Sequence, residues 1–207
     1  MSWEPVGFMV FSNLEAFAWC ALCMSIFRFK TSDYAWQILV VVTLMNLQSF
    51  VLRNELSLSY LVPLINILFI TFLFSTIVRV SLLGSLTIAS AGLVVFGFIQ
   101  TVLAIVLFGS INAVDASVAN GYALQISTAV IGLPLSWFLY RYGYGFSYDF
   151  ERFRLKYEKI MIILTISVFM TTVALVLYLN QILNVIIVLA ISLLFFLKYA
   201  IAKEKDL

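Results

Sequence analysis

Residues 34–55 read YAWQILVVVTLMNLQSFVLRNE, a stretch apolar enough to cross a membrane as a helix but marked by a line of polar side chains. On a helix of 3.6 residues per turn these side chains share one face. They are Thr43, Asn46, Ser49 and Arg53. Lipid cannot hydrogen-bond such a face, so we expect other helices to cover it. The chain is therefore predicted to be a helical bundle organised around this line.

The composition indicates that the chain is embedded in a membrane. Of its 207 residues, 64% are hydrophobic and 11% are charged, whereas a soluble domain carries about 25% charged residues. Apolar segments long enough to cross about 30 Å of hydrocarbon cover residues 5–27, 34–52, 57–78, 82–109, 122–140, 160–179 and 182–201. A tight turn near Arg79 is needed between the third and fourth. The predicted fold is an all-α, polytopic membrane protein with seven transmembrane helices in one integral domain, residues 1–207.

The basic residues predict the orientation of this bundle. Eleven of the twelve Lys and Arg residues fall on alternate connections or near the C-terminus, and such residues accumulate on the cytoplasmic side. Arg53 alone falls on the other side. We therefore expect the N-terminus outside, the C-terminus in the cytoplasm, and the plasma membrane as the location. The inner loop 141–159 mixes aromatic and basic residues, which favours the headgroup layer over nucleic-acid binding.

Polar side chains are expected at one level in the outer half of the bundle. Those lying about 10–14 Å deep at 1.5 Å per residue are Asn13, Asn46, Asn66 and Gln100. Gln48, Gln125 and Asn184 are shallower on the same side. Such groups often only join helices, through hydrogen bonds worth about 0.6–2 kcal/mol. Because several helices contribute, an outward ligand pocket is the other interpretation. Its candidate ligand-binding residues are Asn46, Ser49, Arg53, Asn66, Gln100 and Gln125.

Glu15 is the only acid within a predicted span. A carboxylate in hydrocarbon is costly, so it should be paired, hydrated or protonated. The long side chain of Arg53 could extend toward it from the outer end of the second span. Asn13 is two residues from Glu15 and faces nearly the opposite side of the helix, so the two cannot serve one pocket. An ion pair or a protonated structural acid is favoured over the proton carrier of a transporter.

Small residues form stripes on the fourth and fifth spans, which predicts close packing of these two helices. The stripes include Ser85, Ala89 and Gly92 on one span and Gly132 and Ser136 on the other. Cys20 and Cys23 form a CxxC deep in the first span, where no cation would stabilise a thiolate. That setting favours a packing role, with a quinone-linked thiol oxidoreductase as the alternative.

The sequence contains no pattern typical of an enzyme. It has no histidine, and it lacks a nucleophile with a base, a metal-ligand cluster and a glycine-rich phosphate loop. We therefore expect a non-enzymatic protein with no metal or cofactor. The lipid bilayer is its first expected partner, and nucleic acid is not expected to bind.

The layout is similar to that of a known family. Besides the outward N-terminus and seven spans, it has a short inner turn, TIVRVSLLG (76–84), a basic last inner loop, FERFRLKYEK (150–159), and a charged tail, AKEKDL (202–207). This resembles the membrane receptor region of Agr-type peptide-pheromone sensor histidine kinases. The resemblance implies an extracellular peptide or small apolar ligand bound near the outer surface, and homodimerisation. Without histidine the chain cannot hold a phospho-acceptor, so a receptor module or a free-standing relative is expected.

The leading hypothesis is a receptor-like protein with an outward-facing polar pocket. It would perceive a ligand and pass the change to a cytoplasmic or membrane protein partner through the inner loop and the C-terminal tail. A membrane transporter, or a substrate-binding transporter subunit, is one alternative. A structural or assembly membrane protein is another.

Overall fold

The computed structural model describes residues 4–54, 62–114, 116–146 and 160, and all regular structure in these residues is helical. The α-helices are α1 Glu4–Ile26, α2 Ala35–Asn54, α3 Val62–Phe72, α4 Leu82–Phe108 and α5 Val118–Tyr142. Four described segments are long and apolar enough to cross a membrane: Val6–Ile26, Thr31–Arg53, Leu82–Phe108 and Val118–Tyr142. The all-α prediction is thus confirmed for the described residues. The predicted sixth and seventh spans lie outside them, apart from residue 160.

Large apolar side chains project outward from α4 and α5. Val94, Phe98 and Val106 of α4 are 71%, 68% and 72% exposed, and Trp137 of α5 is 65% exposed. In water, apolar surface of this extent would drive association. It is consistent with a lipid bilayer around these helices, and it supports the identification of the chain as a membrane protein.

The chain divides into two compact units. The first unit comprises Met1–Val42 and Ile88–Tyr148, and the second comprises Thr43–Thr87 and Asp149–Leu207.

In the first unit, α1 and α5 pack side by side and run parallel. Gly7 lies near the hydroxyl of Tyr122 at one end, whereas Ser25 and Ser136 share a hydrogen bond of 2.7 Å at the other. The Ser136 hydroxyl also lies 2.8 Å from the backbone oxygen of Ala21, to which it can donate. Residue numbers therefore rise together along the two helices.

Helix α4 contributes to the first unit in the opposite direction. Gln100 contacts Glu15, the rings of Phe96 and Trp19 lie 6.4 Å apart between centroids, and Gly92 packs against Cys23. As α1 is followed toward its C-terminal end, its contacts on α4 thus move toward the N-terminal end of that helix.

The chain that follows α5 folds back onto the end of α1. Gly143, in the left-handed conformation with φ 68°, caps α5, since its N–H points at the backbone oxygens of Leu139 and Tyr140. The Phe146 N–H then donates to the Ile26 backbone oxygen across 2.7 Å, and Gly145 lies against the same oxygen. The beginning of the inner loop predicted over 141–159 is therefore attached to α1.

In the second unit, the turn expected near Arg79 is present. Helix α3 continues into a π-helical turn, Leu73–Ile77, and the chain reverses at Arg79, whose φ is 68°. The Ser81 hydroxyl accepts a hydrogen bond of 3.2 Å from the Gly84 N–H, which caps the start of α4. Arg79 is exposed while both of its neighbours are buried, so the charged side chain of the turn lies on the protein surface.

The short connection between α1 and α2 carries an ion pair on its surface. Lys30 Nζ lies 3.0 Å from Asp33 Oδ1, and both side chains are about half exposed. The hydrogen bond and the negative charge of Asp33 raise the pKa of Lys30 above its usual value. An exposed pair of this kind contributes little to stability, but it places charge at the end of both helices.

Candidate functional site

Four polar side chains from α1, α4 and α5 meet in the first unit; we call them the polar cluster. They are Ser12, Glu15, Gln100 and Gln125. The Gln100 Nε2 donates to Glu15 Oε1 across 2.7 Å, and the Gln125 Nε2 donates to Ser12 Oγ across 3.1 Å. Because Ser12 and Glu15 are three residues apart, the two hydrogen bonds lie on one face of α1. Of the candidate ligand-binding residues, Gln100 thus contacts Glu15, and Gln125 contacts Ser12.

The hydrogen bonding of the polar cluster is incomplete at one atom. Gln125 Oε1 is buried and has no hydrogen-bond partner among the described residues. Glu15, Gln100 and Gln125 are each only partly buried as residues, whereas Ser12 is 6% exposed. A buried amide oxygen without a donor is uncommon in proteins. It marks the position at which the polar cluster can accept a further donor.

An aromatic pair flanks the polar cluster toward the N-terminal ends of α1 and α5. The ring centroids of Phe11 and Tyr122 lie 4.7 Å apart. Phe11 is adjacent to Ser12, and Tyr122 precedes Gln125 by three residues on the same face of α5. The polar side chains therefore have an apolar boundary on this side.

One turn farther along α1 lies Trp19, which is 5% exposed. Its indole Nε1 is buried and has no hydrogen-bond partner among the described residues. The indole is close to Gly92, since a Cβ added at that glycine would lie 3.5 Å from Nε1. A donor thus lies below the polar cluster on the face of α1 that meets α4.

The other candidate ligand-binding residues belong to the second unit. Asn46 and Ser49, which are 5% and 3% exposed, are covered as the polar line on α2 requires. Ser49 Oγ donates to Asn66 Oδ1 across 3.2 Å, so these two predicted residues are partners. Arg53 is exposed. The six candidate residues are thus divided between the two units, with Gln100 and Gln125 in the first.

Gln48 differs from its neighbours on α2. It is 1% exposed, and both its amide oxygen and its amide nitrogen are buried without a hydrogen-bond partner among the described residues. The sequence placed it in the shallow part of the outer polar layer. Burial of an unpartnered amide costs free energy, so this residue does not serve as a hydrogen-bonded link between described helices.

The small residues of α4 and α5 meet α1 more closely than they meet each other. Gly92 packs against Cys23, and a Cβ added at Gly132 would lie 3.4 Å from the Ala18 Cβ and 3.8 Å from the Phe96 ring. The predicted packing residues are all buried. They are Ser85, Ala89, Gly92, Gly132 and Ser136. The two stripes do approach one another, through Phe96, but α1 supplies the nearest neighbour of each glycine.

Cys20 and Cys23 are free thiols with no exposed surface. Their complete burial fits the packing role, because a redox-active thiol must be accessible to its reaction partner. Among the described residues no group of three or more His, Cys, Asp or Glu side chains could hold a metal ion.

Sequence reasoning missed two residues of this region, Ser12 and Trp19. A signal for Ser12 was present, since it precedes Glu15 by three residues and therefore shares its helix face. Trp19 reads as an ordinary apolar residue, and only the packing of α4 reveals its buried N–H. Asn13, placed in the outer polar layer by its depth, is half-buried. Asn184 lies outside the described residues.

Comparison with protein-family models, with curated proteins and with solved structures found no match to this chain. The site must therefore be interpreted from its own geometry.

Proposed function

We propose that this chain is a non-enzymatic, receptor-like protein of the plasma membrane that perceives an extracellular ligand and signals to a cytoplasmic partner. The observation that carries the proposal is the buried Gln125 Oε1, which has no partner among the described residues, beside the hydrogen bond between Gln100 and Glu15. Polar groups that only joined helices would be expected to satisfy one another. An unfilled acceptor beside a carboxylate favours a site that a ligand completes.

The proposed orientation has seven spans, with the N-terminus outside and the C-terminus in the cytoplasm. The distribution of Lys and Arg supports it. The first unit supports the alternation of the first, fourth and fifth spans, since α1 and α5 run parallel and α4 runs opposite to both. In this orientation Ser12 and Glu15 lie nearer the outer end of α1 than Trp19 and Cys23 do, as an extracellular ligand needs.

Helix α1 offers a route from the polar cluster to the inner side. The cluster lies along its N-terminal half, and its C-terminal end accepts the hydrogen bond from the Phe146 N–H. A ligand that shifted or rotated α1 would therefore also move the start of the inner loop. This mechanical link, together with the basic loop and the charged tail, is our basis for proposing a cytoplasmic or membrane protein partner.

The test measures contact with the partner in intact cells. A photo-crosslinking residue is placed at Lys203. Cross-linked partners are then identified with and without medium conditioned by cells that naturally produce this protein. We expect the yield for one cytoplasmic protein to change with conditioned medium in the wild type and in Thr101→Val. The Thr101 hydroxyl bonds only to its own helix, at the Gly97 oxygen.

The same response is expected to be lost in Glu15→Gln and Gln100→Leu. The receptor function is contradicted if no partner is found. It is also contradicted if the cross-linking yield is unchanged by conditioned medium in all four proteins.

A transporter is the second candidate, and Glu15 is the observation that favours it. An ionisable side chain inside the membrane commonly marks a substrate or proton pathway. Flux of a substrate or of protons into proteoliposomes would establish transport in place of signalling, if this flux stops in Glu15→Gln but continues in Thr101→Val.

A further inference from the structure

We propose that the polar cluster binds the primary ammonium group of a ligand. The inference deepens the proposed receptor function and relies on it for biological meaning, but its chemistry is that of four side chains in the first unit. Those side chains offer oxygen acceptors on one face of α1, within a helical environment that is otherwise apolar.

Each amide nitrogen of the polar cluster already donates one hydrogen bond. The Gln100 amide points an N–H at Glu15, and the Gln125 amide points an N–H at Ser12. The Gln125 amide oxygen is buried and has no partner among the described residues. A carboxylate can accept about four hydrogen bonds, and Gln100 supplies one of them at Glu15. The polar cluster is therefore suited to a group that donates.

The charge of the site selects among donors. The proposed site requires Glu15 in its ionised form, which in a medium of low dielectric repels an anion and attracts a cation. Calcium requires about 6–8 oxygen ligands, more than one carboxylate and the oxygens of Ser12, Gln100 and Gln125 provide. A primary ammonium carries three N–H donors and no acceptor. It can donate to Glu15, to Gln125 Oε1 and to the Ser12 oxygen, which is the combination that α1 and α5 present.

The aromatic pair offers an apolar surface to the carbon chain of such a ligand. Phe11 and Tyr122 lie on the N-terminal side of the polar cluster, where an attached carbon chain would pack against their rings. Aromatic faces also attract a cation within about 6 Å. Glu15, Gln100 and Gln125 are each partly exposed, so a ligand can approach the polar cluster from its surface. Contact with the buried Gln125 Oε1 requires the Gln125 side chain to move.

The test uses three probes with the same carbon chain: octylamine, octyltrimethylammonium and octanol. The full chain is placed in nanodiscs of uncharged phosphatidylcholine, and binding is measured by calorimetry at neutral pH against empty nanodiscs. We expect saturable binding of octylamine. The other two should bind at least about tenfold more weakly, because one lacks N–H donors and the other lacks charge.

Two variants and two controls locate the site. Glu15→Gln and Gln125→Met should each weaken octylamine binding by about tenfold or more, because each removes an acceptor of the ammonium. Thr101→Val and Ser127→Ala should leave it unchanged, since these hydroxyls bond to carbonyls of their own helices across 2.8 and 2.7 Å. Gln125→Met removes no charge, so it carries the test if Glu15→Gln fails to fold.

Equal binding of the three probes, or wild-type octylamine affinity in Gln125→Met, overturns the inference. Octyltrimethylammonium binding as tight as octylamine binding also does so, because it would show recognition of charge alone. Absent octylamine binding with a normal response to conditioned medium refutes the ammonium site but not the receptor. Octylamine binding without any partner response would support the ammonium site and refute the receptor function.

Discussion

Gln100 donates a hydrogen bond to Glu15 across 2.7 Å, which links the C-terminal half of α4 to α1. A hydrogen bond to a carboxylate is stronger than one between neutral groups. Replacement by leucine would also leave the acid with one donor fewer inside an apolar unit.

We expect Gln100→Leu to lower the free energy of unfolding by about 1–2 kcal/mol, measured by detergent-induced unfolding in mixed micelles. Thr101→Val, at the next position on α4, should change it by less than about 0.5 kcal/mol. Equal effects of the two substitutions would mean that the bond to Glu15 does not stabilise the fold.

The close contact between Gly92 and Cys23 gives a second prediction. A Cβ added at Gly92 would collide with the Cys23 Sγ, whereas Gly97 on the same helix has no such neighbour within 4 Å. Gly92→Ala should therefore destabilise by about 1–3 kcal/mol. Gly97→Ala should be neutral or stabilising by up to about 1 kcal/mol, because alanine is the better helix former.

Thermal unfolding in detergent measures both glycine variants. The cause is isolated by the double variant Gly92→Ala with Cys23→Ala, in which the Sγ is gone. Recovery of at least half of the lost stability is expected, and no recovery would place the collision elsewhere.

The periodicity of the sequence was sufficient to predict which faces of the helices are polar, but not which residues meet. Spacing along α2 predicted that Asn46 and Ser49 would be covered, and both are buried. Depth placed Asn46, Asn66 and Gln100 at one level. The depth of a residue and the helix face on which it lies do not determine which other helix packs against that face. For that reason the Gln100–Glu15 hydrogen bond was not predicted.

The same limitation explains the small-residue stripes. Stripes at Gly92 and Gly132 predicted close packing of α4 with α5, yet the nearest neighbours of these two glycines are Cys23 and Ala18 of α1. Neither side chain stands out in an apolar span. Only the complementarity of a glycine to a particular neighbour identifies the partner, and that requires the three-dimensional packing.

Adjacent residues on α2 provide a third prediction, with opposite signs. Gln48 is buried without a hydrogen-bond partner among the described residues, so Gln48→Leu removes an unsatisfied amide and should leave stability unchanged or raise it by about 1 kcal/mol. Ser49→Ala removes the donor to Asn66 and should cost about 0.5–1.5 kcal/mol. Detergent-induced unfolding distinguishes these outcomes, and a large loss in Gln48→Leu would reveal a partner for its amide.

The proposed orientation predicts opposite accessibility of two connections. In a background with Cys20→Ala and Cys23→Ala, Asn112→Cys lies between α4 and α5 and Ser32→Cys between α1 and α2; both positions are exposed. A membrane-impermeant maleimide should label Asn112→Cys in intact cells, and Ser32→Cys only after the membrane is permeabilised. Labelling of both from one side would contradict an alternating arrangement, and the inverse pattern would reverse the orientation.

Substitution of Gly145 is expected to separate ligand binding from transmission of the signal to the inner loop. Its φ is 154°, and a Cβ there would collide with the Ile26 backbone oxygen that accepts from the Phe146 N–H. Gly145→Ala should detach the start of the inner loop from α1, which hydrogen exchange detects as faster exchange in residues 143–146. Gly109→Ala is the matched control, since its φ is 78° but no such atom lies within 4 Å.

If α1 carries the signal inward, Gly145→Ala should abolish the partner response while octylamine binding stays as in the wild type. Loss of both would indicate general unfolding of the first unit. Retention of the response with a detached loop would mean that the signal leaves α1 by another route, because the Phe146–Ile26 hydrogen bond would then be dispensable for transmission.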